Sequence, residues 1–301
     1  MTAAFDRWSA VRLDEVEQAL DRWVSADAPA GLGLAMRYGV LDGGKRLRPL
    51  LVLAASDAVH GLEPAALRAA CAVELIHAYS LVHDDMPCMD DDVLRRGKPT
   101  VHVQYGEAQA MLAGDAMQAL AFEVLTPCEQ AGSGANDMPP ALQARLCGLL
   151  ARSAGGLGMA GGQAIDLASI GKPLDESQLR DMHRRKTGAL LRASVLMGAA
   201  CGHTEAVAWQ ALSAYGEAIG LAFQVIDDVL DVTQASETLG KTAGKDLDAN
   251  KPTYVSVLGL DAAMRHARDL RDQAQAALVR SGLQDTTWLS LLADKVVERD
   301  S

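Results

Sequence analysis

Residues 62–92 read LEPAALRAACAVELIHAYSLVHDDMPCMDDD. Leu67, Cys71, Leu75 and Ala78 recur every three or four residues and so mark one helix face. Glu63 and Pro64 suit a first turn, where a carboxylate meets the positive helix end and proline's missing N–H costs nothing. Leu62–Asp85 is therefore expected as one long helix that ends in carboxylates. Leu212–Asp231 reads the same way and closes on Gln224-Val225-Ile226-Asp227-Asp228-Val229-Leu230-Asp231. Strand alternation is absent around both. Aromatics make up only 4% of the 301 residues while alanine and leucine abound, which favours helix over sheet. The expected class is all-α.

Breakers fall at Gly43-Gly44, at Pro87, at Gly97–Pro99, at Gly132–Pro140 and at Gly240–Pro252. No period of 20–50 residues appears, which excludes a solenoid. The chemistry below draws on residues from both sides of Gly132–Pro140, so residues 1–301 are expected to form a single domain. The net charge of −11 argues against nucleic-acid or anionic-membrane binding. Five scattered cysteines (Cys71, Cys88, Cys128, Cys147, Cys201) form no C-x-x-C pair and read as reduced thiols of a cytoplasmic protein. Met1–Leu20 is charged throughout and no run of 18 uncharged apolar residues occurs, so neither a signal peptide nor a membrane span is expected.

Asp227 and Asp231, four apart, share a helix face. Asp84 and Asp90, six apart, do not, unless Pro87 ends the helix and the chain folds back. Two readings are open for such clusters: solvated surface patches, or cation sites. Both clusters end strongly apolar helices, which places the carboxylates at the mouth of a core. Two carboxylates 4 Å apart repel by about 4 kcal/mol at an effective dielectric of 20, so a group of them calls for cations. Oxygen-only donors without histidine or cysteine favour Mg²⁺, usually completed by substrate phosphate.

Basic segments answer the acids: Gly43-Gly44-Lys45-Arg46-Leu47-Arg48-Pro49, Leu94-Arg95-Arg96-Gly97-Lys98-Pro99, Arg185-Lys186-Thr187-Gly188 and Gly240-Lys241-Thr242-Ala243-Gly244-Lys245-Asp246. Each alone reads as a solvated loop. Together with the carboxylates they suit a metal–diphosphate complex, since arginine grips phosphate oxygens in pairs and lysine acts as a mobile charge. The glycines of Gly155–Gly162 follow no strand, so they are not a dinucleotide loop. They read as a close approach of helices, with Gln163 and Asp166 beside the basic residues.

These motifs, in this order from about Leu32 to Arg299, resemble the trans-isoprenyl diphosphate synthase (polyprenyl synthetase) family, and within it the bacterial farnesyl branch. The resemblance implies an isoprenoid-synthase-type bundle of long helices around a central cavity, and a homodimer. It implies that Asp84, Asp85 and Asp90 hold two Mg²⁺ and that Asp227 and Asp231 hold a third. Arg95, Lys186, Gln224 and Lys241 would bind the allylic diphosphate, and Lys45, Arg48, His77 and Arg96 isopentenyl diphosphate. Lys186, Thr187 and Gln224 would steady the allylic cation. His77 shares a face with Asp84, seven residues on; it is either a structural histidine or a ligand contact, and Glu74 is placed to orient it. Tyr79 and Ser80, five and four residues before Asp84, would cap the chain near C15, or Tyr79 is ordinary core. C20 or C10 synthases, a terpene cyclase and a non-catalytic subunit are the competing readings; the intact Asp clusters and the Gly43–Pro49 loop argue against the last two.

Overall fold

The computed structural model describes residues 2–41, 43–127, 138–172, 174–233 and 253–299. The first half contains α1 (Thr2–Trp23), α2 (Leu32–Val40), α3 (Leu47–Ala58), α4 (Glu63–Asp84), a two-strand ribbon β1 (Leu94–Arg95) and β2 (Lys98–Pro99), α5 (Val101–Tyr105) and α6 (Glu107–Leu125). The second contains α7 (Pro140–Ala154), α8 (Met159–Ala168), α9 (Glu176–His183), a π-helical turn at Arg184–Gly188, α10 (Ala189–Ala200) and α11 (Ala206–Thr233). After residue 252 come α12 (Tyr254–Leu258), α13 (Leu260–Arg280) and α14 (Thr287–Val297). The all-α expectation holds.

Among the described residues the ribbon is the one departure. Arg96 (φ 52°) and Gly97 (φ 76°) are both left-handed, which is the two-residue turn that matches strand twist. It pairs Leu94 with Pro99 and Arg95 with Lys98.

Helix α4 begins and ends within one residue of its expected bounds. Its small residues Ala65, Ala66, Ala69, Ala70 and Ala72 are buried, so α3, α6 and α10 approach its axis closely. Among the described residues it is the one helix long and apolar enough to cross a bilayer, yet 67% of its most apolar stretch is buried, the pattern of a core helix. α11 starts six residues earlier than its reading, because Ala206–Ala211 are themselves good helix formers and Ala208 and Ala211 are buried.

Two apolar clusters meet along α3 and α10. Val52, Leu53, Leu190 and Met197 face one cluster; Leu50, Leu51, Leu191 and Val195 face the other. Each fully buried leucine contributes about 1.5–3 kcal/mol of burial. α10, from beyond residues 128–137, packs on both α3 and α4. Cys71 and Cys201 are buried, Cys147 is half-buried and Cys88 is exposed, all as free thiols. Cys128, most of Gly132–Pro140 and all of Gly240–Pro252 lie outside the described residues.

Candidate active site

Helix α4 ends at Asp84, and the chain folds back past Pro87 as its spacing required. Asp90 N–H donates to the Asp84 carbonyl (2.9 Å), Asp91 N–H to Met86 (3.2 Å) and Asp92 N–H to Asp85 (3.1 Å). Asp84 and Asp90 thus share one end of the helix. Burial pushes the Asp84 carboxyl up to about 6; Lys186 and Arg95 oppose this, and Asp90 and Asp85 add to it. Asp85 turns inward, and Arg95 Nε and Nη2 grip its carboxylate at 2.5–3.0 Å.

Lys186 and Thr187 lie in the π-turn, which is pinched from two sides. A Cβ on Gly162 of α8 would meet Lys186 N at 2.1 Å, and one on Gly220 of α11 would meet Gly188 Cα at 2.7 Å. The close helix approach read into Gly155–Gly162 is made at Gly162, while Gly155, Gly158 and Gly161 pack on their own neighbouring turns. Lys186 Nζ donates to Asp166 (2.5 Å) and its charge also acts on Asp84. The Thr187 hydroxyl donates to Gln224 Oε1 (2.9 Å), and Gln224 Nε2 donates to Asp228 (2.9 Å). One chain of contacts thus joins the first acidic cluster to the second.

In the second cluster the carboxylates divide. Asp227, half-exposed, pairs with Arg299 Nη2 (2.5 Å), and that guanidinium also lies 4.0 Å over the Phe223 ring. Asp228 is buried and accepts the Tyr254 N–H at 2.8 Å. Asp231, one turn on, is also buried. His183 stacks on Tyr254 (5.5 Å between centroids) with Nε2 3.9 Å from Asp228. Burial drives its pKa down to about 3; Asp166 opposes this and Lys186 reinforces it.

The basic loop sits opposite. Lys45 feels both Arg299 and Asp227, with burial as the larger cause of its lowered pKa. Arg48 is buried, within the field of Glu74 and Asp227, and its Nε has no hydrogen-bond partner. His77 is held neutral by burial and then by Arg48, Arg96, Arg95 and Arg46. Arg96 donates to the Gly43 carbonyl, and a Cβ on Gly44 (φ 127°) would strike its guanidinium at 2.7–2.9 Å. The ribbon turn thereby sends Arg95 to Asp85 and Arg96 to the basic loop. Glu74 does not orient His77. It is a buried ion-pair partner of Arg46 at 2.7 Å, because a carboxylate in that core needs a full counter-charge. Lys241 lies outside the described residues.

Arg48, His77, Tyr79, Ser80, Asp84, Lys186 and Thr187 line one cavity of about 360 Å³, with Gln163 of α8 among the other walls. Tyr79 accepts a hydrogen bond from Gln118 Nε2 at 3.4 Å and meets the His83 ring edge-on at 5.7 Å.

Residues 30–281 match the sequence model of the polyprenyl synthetase family. The chain belongs to the polyprenyl synthetase family. It is 48% identical over 269 residues to the farnesyl diphosphate synthase of Escherichia coli (strain K12), covering 88% of each chain. It is also 44% identical over 290 residues to the chloroplastic geranylgeranyl pyrophosphate synthase of Capsicum annuum, covering 95% of this chain and 76% of that one. A geranyltransferase from Helicobacter pylori, complexed with magnesium and isoprenyl diphosphate, superposes with a TM-score of 0.80 at 33% identity, covering 96% of this chain and 95% of that one. The reaction class of this polyprenyl synthetase is head-to-tail prenyl transfer between diphosphates.

The residues present fit Mg²⁺. The burial-raised Asp84 carboxyl, crowded by Asp85 and Asp90, is an anionic field that a cation relieves. Among the described residues no three histidine, cysteine or carboxylate groups close on a single point. The carboxylates therefore suit a cation that completes its shell with phosphate oxygens and water. The reading of this synthetase from its sequence missed Arg299, whose contact with Asp227 spans 72 positions, and Asp228, whose direction depends on packing.

Proposed function

We propose that this polyprenyl synthetase condenses isopentenyl diphosphate with dimethylallyl and geranyl diphosphates and releases C15 farnesyl diphosphate. Asp84, Asp85 and Asp90 would hold two Mg²⁺ and Asp227 and Asp231 a third, which supply charge stabilisation for the departing pyrophosphate. Arg95 and Lys186, with Lys241, bind the allylic diphosphate. Lys45, Arg48, His77 and Arg96 bind the diphosphate of isopentenyl diphosphate. The allylic C–O bond breaks and its electron pair leaves with pyrophosphate. The Lys186 carbonyl, the Thr187 hydroxyl and Gln224 face the resulting cation. The C5 alkene attacks it to form the new C–C bond, and a proton passes to a pyrophosphate oxygen.

The observation that carries this reading is the convergence of Asp84, Lys186, Thr187 and Arg48 on one cavity, with Gln224 tied to Thr187 at 2.9 Å. Product length rests on Tyr79. Each isoprene unit buries five carbons and gains about 4 kcal/mol, so growth continues until something blocks it. Tyr79, braced by Gln118 and His83, is that block. The pepper relative's C20 product is the second reading. The apolar Val103, Met111 and Leu112, 40–52% exposed on α5 and α6, support a homodimer. The free thiols accord with a cytoplasmic enzyme.

Chromatography of products from Mg²⁺, isopentenyl diphosphate and a C5 or C10 allylic diphosphate tests the reading: C15 is expected, and a C20 product sinks the length assignment. Tyr79→Ala is expected to lengthen the product to C20 or beyond; unchanged C15 output removes Tyr79 from that role.

A further inference from the structure

We propose that Arg46 is the positioning residue of the isopentenyl diphosphate subsite, aiming Lys45 and Arg48 through a buried ion cluster with Glu17 and Glu74. The inference rests on the reading of Lys45 and Arg48 given above.

Three of the four residues from Lys45 to Arg48 are basic, yet they do not point together. Arg46 turns away from the cavity. Its Nε donates to Glu17 Oε1 (2.6 Å), its Nη1 to Glu74 Oε1 (2.7 Å) and its Nη2 to the Val40 carbonyl (2.6 Å). Its side chain is 2% exposed. Its backbone is left-handed (φ 45°, ψ 36°) at the residue that opens α3. That conformation is unfavourable for an L-residue, and arginine is not a favoured residue at a helix start. Local preference therefore does not place Arg46 there; the three charge-assisted contacts do.

The consequence falls on its neighbours. Lys45 precedes the anchor and is left within the fields of Asp227 and Arg299. Arg48 stands in the first turn of α3, buried, with its Nε still to be satisfied. Glu74 acts on both arginines, by hydrogen bonds to Arg46 and through its field on Arg48. With Arg46 in place Glu74 is spoken for, and Arg48 remains for a diphosphate. Without Arg46, a buried carboxylate lies bare beside Arg48 and captures its guanidinium. Glu17 extends the arrangement to α1, which gives the N-terminal helix a part in substrate affinity.

The test compares KM for isopentenyl and geranyl diphosphates, with melting temperatures, across Glu17→Gln, Arg46→Lys, Arg46→Met and Arg46→Met combined with Glu74→Gln. Arg46→Met is expected to raise the isopentenyl diphosphate KM about tenfold or more, with the geranyl diphosphate KM held within about twofold. Adding Glu74→Gln recovers most of that loss, which a purely structural role for Arg46 does not produce. If Arg46→Met fails to fold, Glu17→Gln decides, since its carboxylate is 37% exposed. There a rise of about threefold in the isopentenyl diphosphate KM alone is expected from one weakened charge-assisted bond. Equal changes in both KM values, or an unchanged isopentenyl diphosphate KM in Glu17→Gln and Arg46→Lys, overturns the proposal. Lys45→Met is the control: an unchanged KM there means the subsite itself is misassigned, whereas a raised KM there with silent Arg46 and Glu17 variants rejects the positioning role alone.

Discussion

The carboxylates at the end of α4 and those within α11 have the same chemistry but opposite surroundings. Asp84 faces the cavity with no side-chain ion pair among the described residues, and burial holds its carboxyl up at about 6. Asp227, its counterpart, already carries Arg299 at 2.5 Å. Asp85, clamped by Arg95, and Asp228, pinned between Gln224 and Tyr254, turn inward in both clusters. The first cluster ends a helix, and there Arg95 is spent on Asp85 while Asp84 keeps no side-chain ion pair of its own among the described residues. The second lies along a helix and is balanced from within. Acidic spacing alone therefore does not determine how ready a cation site is; the positive partners supplied by distant parts of the chain do.

The largest expected effect is on turnover. Asp84→Ala should lower kcat/KM by about a thousandfold or more, and Asp227→Ala by at least about a hundredfold, as loss of electrostatic transition-state stabilisation does. Circular dichroism should show the helices intact, and near-normal rates in either variant break the metal assignment. Next comes an opposition of sign in stability. Asp228→Ala strands the Gln224 amide and the Tyr254 N–H and should cost about 2–4 kcal/mol in urea unfolding. Asp84→Asn should instead stabilise the Mg²⁺-free protein at pH 7.5 by about 1–2 kcal/mol, discounted for the water that reaches Asp84. Equal signs would erase the distinction between the clusters.

A smaller effect is expected with pH in the metal-free protein. Between about pH 4 and 6 the folded chain keeps a proton on Asp84 that the unfolded chain has released, so Asp84 makes stability fall as pH rises. His183 runs the other way. Its folded pKa of about 3 lies below its unfolded value, so the unfolded chain binds the extra proton and stability rises from about pH 3 to 6.5. Melting curves of Asp84→Asn and His183→Gln should steepen and flatten the upward slope respectively. The smallest effect is expected from Arg299→Gln, which leaves Asp227 without its partner and should tighten Mg²⁺ binding about threefold by calorimetry, a partly screened pair being worth little more. Weaker binding would show that Arg299 assists the cation rather than replacing it.

Much of this was legible because helical spacing and breakers are local signals. α4 was readable from Leu62 to Asp85, one residue beyond its true bounds at each end, and the fold-back at Pro87 followed from the six-residue gap to Asp90. The close approach at Gly162 was readable because so many glycines without a strand have few other uses. Directions were not readable. Lys45, Arg46 and Arg48 look alike as a string, and only Glu17 and Glu74 on other helices separate the anchor from its neighbours. Glu74 and His77 lie three apart on α4, yet a buried arginine outcompeted the histidine for the carboxylate. Arg299 gave no local sign, because its meaning depends on α11. The ribbon escaped notice because two-residue strands have no alternation to see.

The π-turn at Arg184–Gly188 also bears on how this chain tolerates change. Its wider hydrogen-bond loop fits an additional residue between α9 and α10, so the two helices are out of phase. A residue gained or lost within it would rotate Lys186 and Thr187 against α8 and α11, whose Gly162 and Gly220 already touch the turn backbone. The segment that carries Lys186 is thus a place where chain length is fixed from both sides.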